Sequence, residues 1–378
     1  IPPEVHVERA FALDTGRHLS FRQRYLRIMA MPDRYASWWL GAVPAGLRLV
    51  RQLKPDVIWS TYPIATAHLI GMTLHRLTGI PWVADMRDPM TDPINPDNPM
   101  RRRAFEWIER KTIENCSRVV CTTPGAVRTY QARFPHVPAE RFTLISNGYD
   151  ESNFAGAEDH ALALQPAAGR PVTLVHSGII YPAERNPTAF FQALSMLKQQ
   201  GKITAASLQV LLRATVHDDY VEALAAEHGV ADIVKTAPRI AYRDALAEML
   251  SADALLILQG ANCNHQIPAQ LYEYLRARRP VLALTDHQGD TATTLRAAGI
   301  DTIASLDSKE EIAAELMRFM GLLAHETAPL ATPAAVAANS RRALTGQLGR
   351  VLDELAAEEE LRRANGQGRQ AGSSSKAP

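Results

Sequence analysis

The sequence predicts an α/β fold built as two Rossmann-like domains with parallel sheets, and three observations carry that expectation. Short β-branched runs alternate with helix-length stretches along most of the chain, the pattern of parallel strands joined by helical crossovers. The runs are continuously apolar rather than alternating with polar residues, as strands buried on both faces require. At 378 residues the chain exceeds the size at which a single core keeps growing, so two compact bodies are expected.

In the first half the strand candidates are Val5–Ala12, Asp56–Ser60, Trp82–Asp85, Arg118–Thr122 and Thr143–Ser146. Between the second and third, Ile70, Leu74 and Leu77 recur at helical spacing and the stretch closes on Gly79 and Pro81, so this segment reads as a βαβ crossover. Gly156 to Arg170 is rich in Ala, Gly and acidic residues with no apolar period. That places a linker at 156–170, between a first domain over 1–155 and a second over 171–357. The second half repeats the alternation with Val172–His176, Leu208–Leu212, Ile233–Thr236, Asp253–Leu258, Val281–Thr285 and Thr302–Leu306. Helical stripes lie among and beyond these runs: Phe190, Leu194 and Leu197; Ile312, Leu316, Phe319 and Leu323; Leu344, Leu348, Leu352 and Leu355. Their spacing marks core faces. Residues 358–378, Gly-, Ser- and Gln-rich from Asn365 onward, are expected to form a disordered tail. Two such domains are expected to face each other across a cleft at the C-terminal ends of their strands, where open parallel sheets bind ligands.

Composition narrows the function. Forty-one basic against 40 acidic residues give a net charge of +1, which lacks the footprint of a dedicated nucleic-acid binder. Cys116, Cys121 and Cys263 form neither a CxxC pair nor an even framework, which points to a reducing compartment. No stretch approaches the ~18 uninterrupted apolar residues of a membrane span, and Ile1 is followed by two prolines rather than a signal sequence. A cytoplasmic protein, soluble or peripheral, is expected, and the lack of an initial Met leads us to expect a fragment. GxSxG, P-loop and GxGxxG motifs do not occur, so hydrolase, kinase and dinucleotide-binding readings have no motif to rest on. There is no DxD, HExxH or HxH either, which disfavours a metal requirement.

The densest chemistry lies in Ile267-Pro268-Ala269-Gln270-Leu271-Tyr272-Glu273-Tyr274-Leu275, followed by Arg279-Pro280-Val281-Leu282-Ala283-Leu284. A loop ending at Pro268 opens a helix whose first-turn amides attract an anion, and Glu273 sits one turn further in, placed to accept a sugar diol. A phosphate plus a ribose describes a nucleotide. The same spacing also fits a solvated Glu273 with Tyr272 and Tyr274 packed on either side, and the residues alone leave both readings open.

This segment resembles the donor-site signature of GT-B glycosyltransferases of family four, especially members with an "iPxKlyEYlaagrPvla" string. Further strings agree in order: Pro55-Asp56-Val57-Ile58-Trp59-Ser60-Thr61 with Thr66-Ala67-His68-Leu69-Ile70-Gly71; Ile80 to Pro89; Asn147-Gly148-Tyr149-Asp150 with Phe154; and His176-Ser177-Gly178. The resemblance spans roughly residues 5 to 355. It implies the GT-B fold, a nucleotide sugar as co-substrate with no further cofactor, and transfer with retention of anomeric configuration. It also implies donor contacts from Gly178, Gln266, Ile267, Pro268, Gln270 and Glu273.

The chain departs from the family pattern at several places. The position eight before Glu273, where a first Glu would stand, is His265; Gln270 replaces a Lys; and Ile179 and Arg185 stand where an Arg and a Lys follow the glycine that Gly178 resembles. Arg185 either clamps the diphosphate, as a guanidinium pairs two phosphate oxygens, or is a surface residue. Arg213, at the end of the next strand, is a second cation candidate.

In the first domain Asp85-Met86-Arg87-Asp88-Pro89 closes a strand and opens a loop, the place where such folds put chemistry. Asp85 or Asp88 orients the acceptor hydroxyl beside Arg87, or Asp85 and Arg87 simply pair. Gly148 is expected in a turn with positive φ. Arg17 to Lys54 carries eight cations against Asp33, interleaved with Tyr25, Ile28, Met29, Trp38, Trp39 and Leu40, which suits either an anionic membrane surface or a packed helix pair with a solvated basic face. By comparison with the family, a first strand, helix and second strand are expected ahead of Ile1. The combined expectation is a glycosyltransferase acting on a glycan or lipid-linked glycan in cell-surface polysaccharide synthesis, at the inner face of the plasma membrane. A nucleotide-sugar 2-epimerase of the same fold and a non-catalytic glycan-binding scaffold are the alternatives.

Overall fold

The computed structural model describes residues 3–18, 30–91, 96, 98–163 and 169–373. The chain divides into two units, one of residues 1–145 with 346–378 and the other of residues 146–345.

In the first unit, β1 (Ile58–Thr61), β2 (Trp82–Met86), β3 (Arg118–Cys121) and β4 (Phe142–Leu144) form one parallel sheet in sequence order. Its helices are α1 (Thr15–His18), α2 (Trp38–Leu53), α3 (Ala65–Thr78), α4 (Pro99–Asn115) and α5 (Pro124–Arg133). Local chemistry sets their ends. Asn98 and Thr123 accept from first-turn amides of α4 and α5, each followed by proline, and α3 stops where Gly79 turns left-handed at φ 73°. Trp82, Met86, Ile113, Val119 and Tyr130 fill the core.

The run Val5–Ala12 is not a strand. Val5, Val7 and Phe11 are exposed, and the end of the segment is held through Ser37, whose hydroxyl accepts from Leu13 N–H at 2.8 Å and donates to Leu13 O at 3.0 Å. Gly41 admits the Phe11 backbone at close quarters. Leu77, expected in a core stripe, is 62% exposed because it falls on the outer side of α3.

In the second unit, β5 (Val172–Ser177), β6 (Leu208–Arg213), β7 (Val234–Ala237), β8 (Ala254–Gln259), β9 (Val281–Thr285) and β10 (Ile303–Ala304) form a parallel sheet in the order β10-β9-β8-β5-β6-β7. The helices are α6 (Glu151–Ala163), α7 (Thr188–Gln199), α8 (Asp218–Glu227), α9 (Tyr242–Ser251), α10 (Gln270–Ala277), α11 (Asp290–Ala297), α12 (Lys309–Ala324) and α13 (Pro333–Ala338), and α14 (Arg341–Ser373) closes the chain. The order reverses between β5 and β8, so the C-terminal ends of these two strands form the topological switch point. One core packs Phe190, Leu194 and Phe319 against the sheet, and another packs Leu246, Leu271 and Tyr274.

The boundary falls after Ile145 rather than at 156–170. The reason is burial: Phe154 and Ala157 of α6 are fully enclosed with Leu246 and Ala247 of α9, so that stretch is part of the second unit, while residues 164–168 lie outside the described ones. Residues from 346 return to the first unit, where Val351 and Leu355 cover Val83 and Val120. The expected tail over 358–378 is helical through Ser373, in keeping with the Ala-, Glu- and Arg-rich run at its start; residues 374–378 lie outside the described ones. Among the described residues no helix is long and apolar enough to cross a membrane.

Candidate functional site

The switch point of the second unit gathers polar groups that the fold itself does not satisfy. Among the described residues, Nε2 of His176, Nε of Arg185, Oε1 of Gln259, Oδ1 of Asn264, Nε2 of Gln270 and Oγ1 of Thr285 are buried without a hydrogen-bond partner. Gln259 and Thr285 end adjacent strands in register, and His176 stands one residue before the end of β5. Buried polar groups in folded proteins are nearly always paired, so these six orphans single out the place as the candidate site, although three others, Nε2 of His68, Nε of Arg170 and Nε2 of His228, lie elsewhere.

Gly178 follows β5 directly. A Cβ there would stand 2.6 Å from Oε1 of Gln270, the movable end of a side chain; what favours glycine is its φ of 154°. Arg185 hangs from the same loop: its Nη1 donates to Ile179 O at 3.0 Å, and its guanidinium lies 5.8 Å from the Tyr181 ring centroid. Among the described residues no carboxylate lies within ion-pair distance of it, and burial pushes its pKa down. This is a half-buried cation in want of an anion.

The α10 helix start is narrower than expected. The amides of Leu271 and Tyr272 are taken up by Pro268 O and Ala269 O, at 2.9 and 3.3 Å, so the whole first turn is not free. Ile267 and Pro268 are buried as a wall, and the Gln266 carbonyl accepts from Thr291 Oγ1 at 3.1 Å. Glu273 is neither solvated nor unpartnered: Oε1 accepts from the Tyr242 hydroxyl at 2.5 Å, and burial raises its pKa more than Tyr242 and Arg341 lower it. Tyr274 is buried, its hydroxyl accepting from Ser177 N–H at 3.0 Å, which locks α10 to the end of β5.

Arg213 does not serve as a second free cation. Glu248 of α9 grips it through two hydrogen bonds, one at 3.0 Å to Nε, and Pro238 O takes a third. This ion pair is largely shielded from solvent, so the guanidinium is neutralised before any diphosphate arrives.

In the first unit Asp85 accepts from Thr61 Oγ1 at 2.8 Å across the β1–β2 register, and burial raises its pKa. Asp85 and Arg87 do not form an ion pair; Arg87 and Asp88 are exposed, and the Arg87 carbonyl accepts from Thr122 Oγ1 at 2.6 Å. The loop beyond them is pinned by buried Glu109, which accepts from Thr91 Oγ1, Tyr130 OH and Arg133 Nη1 at 2.9, 3.1 and 2.5 Å. Sequence reading missed Glu109, Gln259, Asn264, Thr285 and Tyr242; Gln259 and Thr285 carried a signal, as polar ends of apolar strands.

Gly148 is not among the positive-φ glycines. A Cβ there would meet Asn339 O and Leu344 Cδ1 at 2.5 Å, so close packing selects it. In the basic stretch, Arg22, Arg24, Tyr25, Arg27, Ile28 and Met29 lie outside the described residues. Trp39, Leu40, Arg48, Arg51 and Lys54 are exposed on and beside α2.

The comparisons with known proteins bear on the fold. Residues 5–148 match the glycosyl transferase 4-like domain. Among solved structures, the chain is similar to sucrose-phosphate synthase from Thermosynechococcus elongatus, with 17% identity over 85% of this chain and 79% of that one, at a TM-score of 0.59. It is similar to HepE from Anabaena in complex with UDP, with 14% identity over 84% of each chain and a TM-score of 0.59. It is similar to WaaG, a glycosyltransferase involved in lipopolysaccharide biosynthesis, with 16% identity over 86% of this chain and 82% of that one, at 0.53. No curated protein sequence matches it. Two parallel α/β units with these likenesses define the fold class as GT-B. Over residues 5–148, almost all of them in the first unit, the chain is similar to the glycosyl transferase 4-like domain.

Proposed function

We propose that the chain transfers a sugar from a nucleotide sugar, held by the second unit, to a hydroxyl of a glycan or lipid-linked glycan held by the first. The observation that carries this reading is the set of unsatisfied polar groups around Gly178, Arg185 and Gln270 at the switch point, beside a Glu273 carboxylate one turn into α10. Similarity to a fold seen in complex with UDP supports the choice of ligand. Arg185 and the Gln270 amide meet the diphosphate, and Glu273 takes the ribose diol.

The acceptor oxygen bonds to the anomeric carbon as the bond to the diphosphate oxygen breaks. The nucleoside diphosphate leaves with the bonding pair, and one of its oxygens takes up the hydroxyl proton. Charge neutralisation and positioning supply the rate. Asp85, Arg87 and Asp88 orient the acceptor, the configuration is retained, and the product belongs to cell-surface polysaccharide. The exposed basic and aromatic residues of α2 give peripheral contact with an anionic membrane. Product analysis with a panel of radiolabelled nucleotide sugars and glycan acceptors tests the reading. A labelled glycoside supports it; an isomerised donor indicates an epimerase, and an unchanged donor a scaffold.

A further inference from the structure

A second polar recess lies within the first unit. A cavity of about 540 Å³ is lined by Asp33, Arg34, Asn98 and Arg101, with Met31 and Ile64 among its apolar wall. That volume suits a small organic ligand. Its wall continues the loop after β1, where Tyr62 N–H donates to Asp85 O at 3.0 Å, so it adjoins the strand end that carries Asp85.

The charges of the lining are unequal. Asp33 is spent within the fold: Oδ2 accepts from Thr66 N–H and Thr66 Oγ1 at 2.8 and 2.9 Å, and Oδ1 from Tyr35 N–H at 2.9 Å. Arg34 has a loose partner, Asp14 at 3.6 Å, and lies 4.9 Å from the Tyr35 ring centroid. Arg101 lies 5.0 Å from the Phe105 ring centroid, and among the described residues no carboxylate is within ion-pair distance of it. The Met100 and Arg101 amides are capped by the neutral Asn98 side chain, and the first turn of α4 holds no acid. Two guanidiniums steadied on aromatic rings, with one carboxylate already satisfied, select an anion, and the apolar wall selects the body that bears it.

We propose that this cavity binds the acceptor through a phosphate monoester held by Arg34 and Arg101. The word acceptor rests on the transferase reading; the anion binding does not. The phosphate belongs either to a sugar phosphate or to a lipid phosphate. Calorimetric titration of the full chain with glucose 6-phosphate, soluble dioctanoyl phosphatidic acid and glucose separates these, with UDP titrated in parallel. At least one phosphate is expected to bind tenfold or more tightly than glucose. Arg101→Ala and Arg34→Ala are each expected to weaken it about fivefold to tenfold and to leave UDP affinity within twofold. Preference for the sugar phosphate identifies a soluble acceptor, and preference for phosphatidic acid a lipid-linked one. Equal affinity for glucose and glucose 6-phosphate with no binding of phosphatidic acid, no binding of either phosphate, or phosphate binding indifferent to both substitutions overturns the proposal. Loss of UDP binding alone would count against the transferase reading while leaving the anion site in place.

Discussion

The Tyr242 hydroxyl donates to Oε1 of Glu273 at 2.5 Å, joining the first residue of α9 to the fourth of α10. The bond aims a carboxylate that burial makes costly to ionise. Since the folded-state pKa of Glu273 is raised, its contribution to stability is fully present below the unfolded pKa and is lost as pH rises through the folded value. Glu273→Gln is therefore expected to melt at or slightly above the parent temperature at pH 7, with the difference vanishing below about pH 4. Thermal melts across that range check this.

Arg185→Ala should remove a charge-assisted contact to the diphosphate, worth about 1.5–3 kcal/mol, or roughly tenfold to a hundredfold in UDP affinity. Stability should hold or rise, because the guanidinium is desolvated without a carboxylate partner. Calorimetric affinity and the melting temperature read the two effects separately, and an unchanged affinity takes Arg185 out of the site.

Glu248→Ala should leave Arg213 partly buried and unpaired, destabilising the second unit by about 2–4 kcal/mol. Denaturant unfolding measures it. A loss below about 0.5 kcal/mol would mean that the pair is solvated and that Arg213 is available to a ligand.

His68 and His176 are both enclosed, and burial lowers each imidazole to about 4. Desolvation keeps both neutral: His68 Nδ1 lies 2.8 Å from Ser60 Oγ, and His176 Nδ1 lies 2.9 Å from Leu256 O, a bond that works against the lowering. The unfolded chain takes up protons below its pKa of 6.5 while the folded chain does not. Stability should therefore fall as pH drops from about 6.5 to 4, by about 1.4 kcal/mol per pH unit for each imidazole, and this term should level off below. Urea unfolding at pH 7.5, 5.5 and 4.5 tests it, and His176→Gln should flatten the slope for the second unit.

Most of this architecture was legible because parallel strands buried on both faces leave apolar runs that sequence shows directly. β9 matches its predicted run, Val281–Thr285, residue for residue. Val5–Ala12 misled because its Val5, Val7 and Phe11 suggest a strand although His6, Glu8 and Arg9 interrupt them, and a sequence does not reveal whether a neighbouring strand is there to pair with it. Phe154 and Ala157 sit in a stretch without apolar period, and only the packing of α6 on α9 shows that they are core. Glu273 and Arg185 were visible as residue types at a strand or helix end. The pairing of Arg213 with Glu248 and of Glu273 with Tyr242 spans 35 and 31 residues, and such contacts leave no local signal.

The central claim is that α10 presents Glu273 to the ribose of a nucleotide, and paired calorimetric titrations of UDP into the parent chain and into Glu273→Gln test it most directly. The substitution keeps the shape and one acceptor oxygen but removes the charge. Affinity should fall by about 1.5–3 kcal/mol, roughly tenfold to a hundredfold, while the folded state stays within ~1 kcal/mol of the parent. Equal UDP affinity in both proteins, or no UDP binding by the parent, would contradict the account.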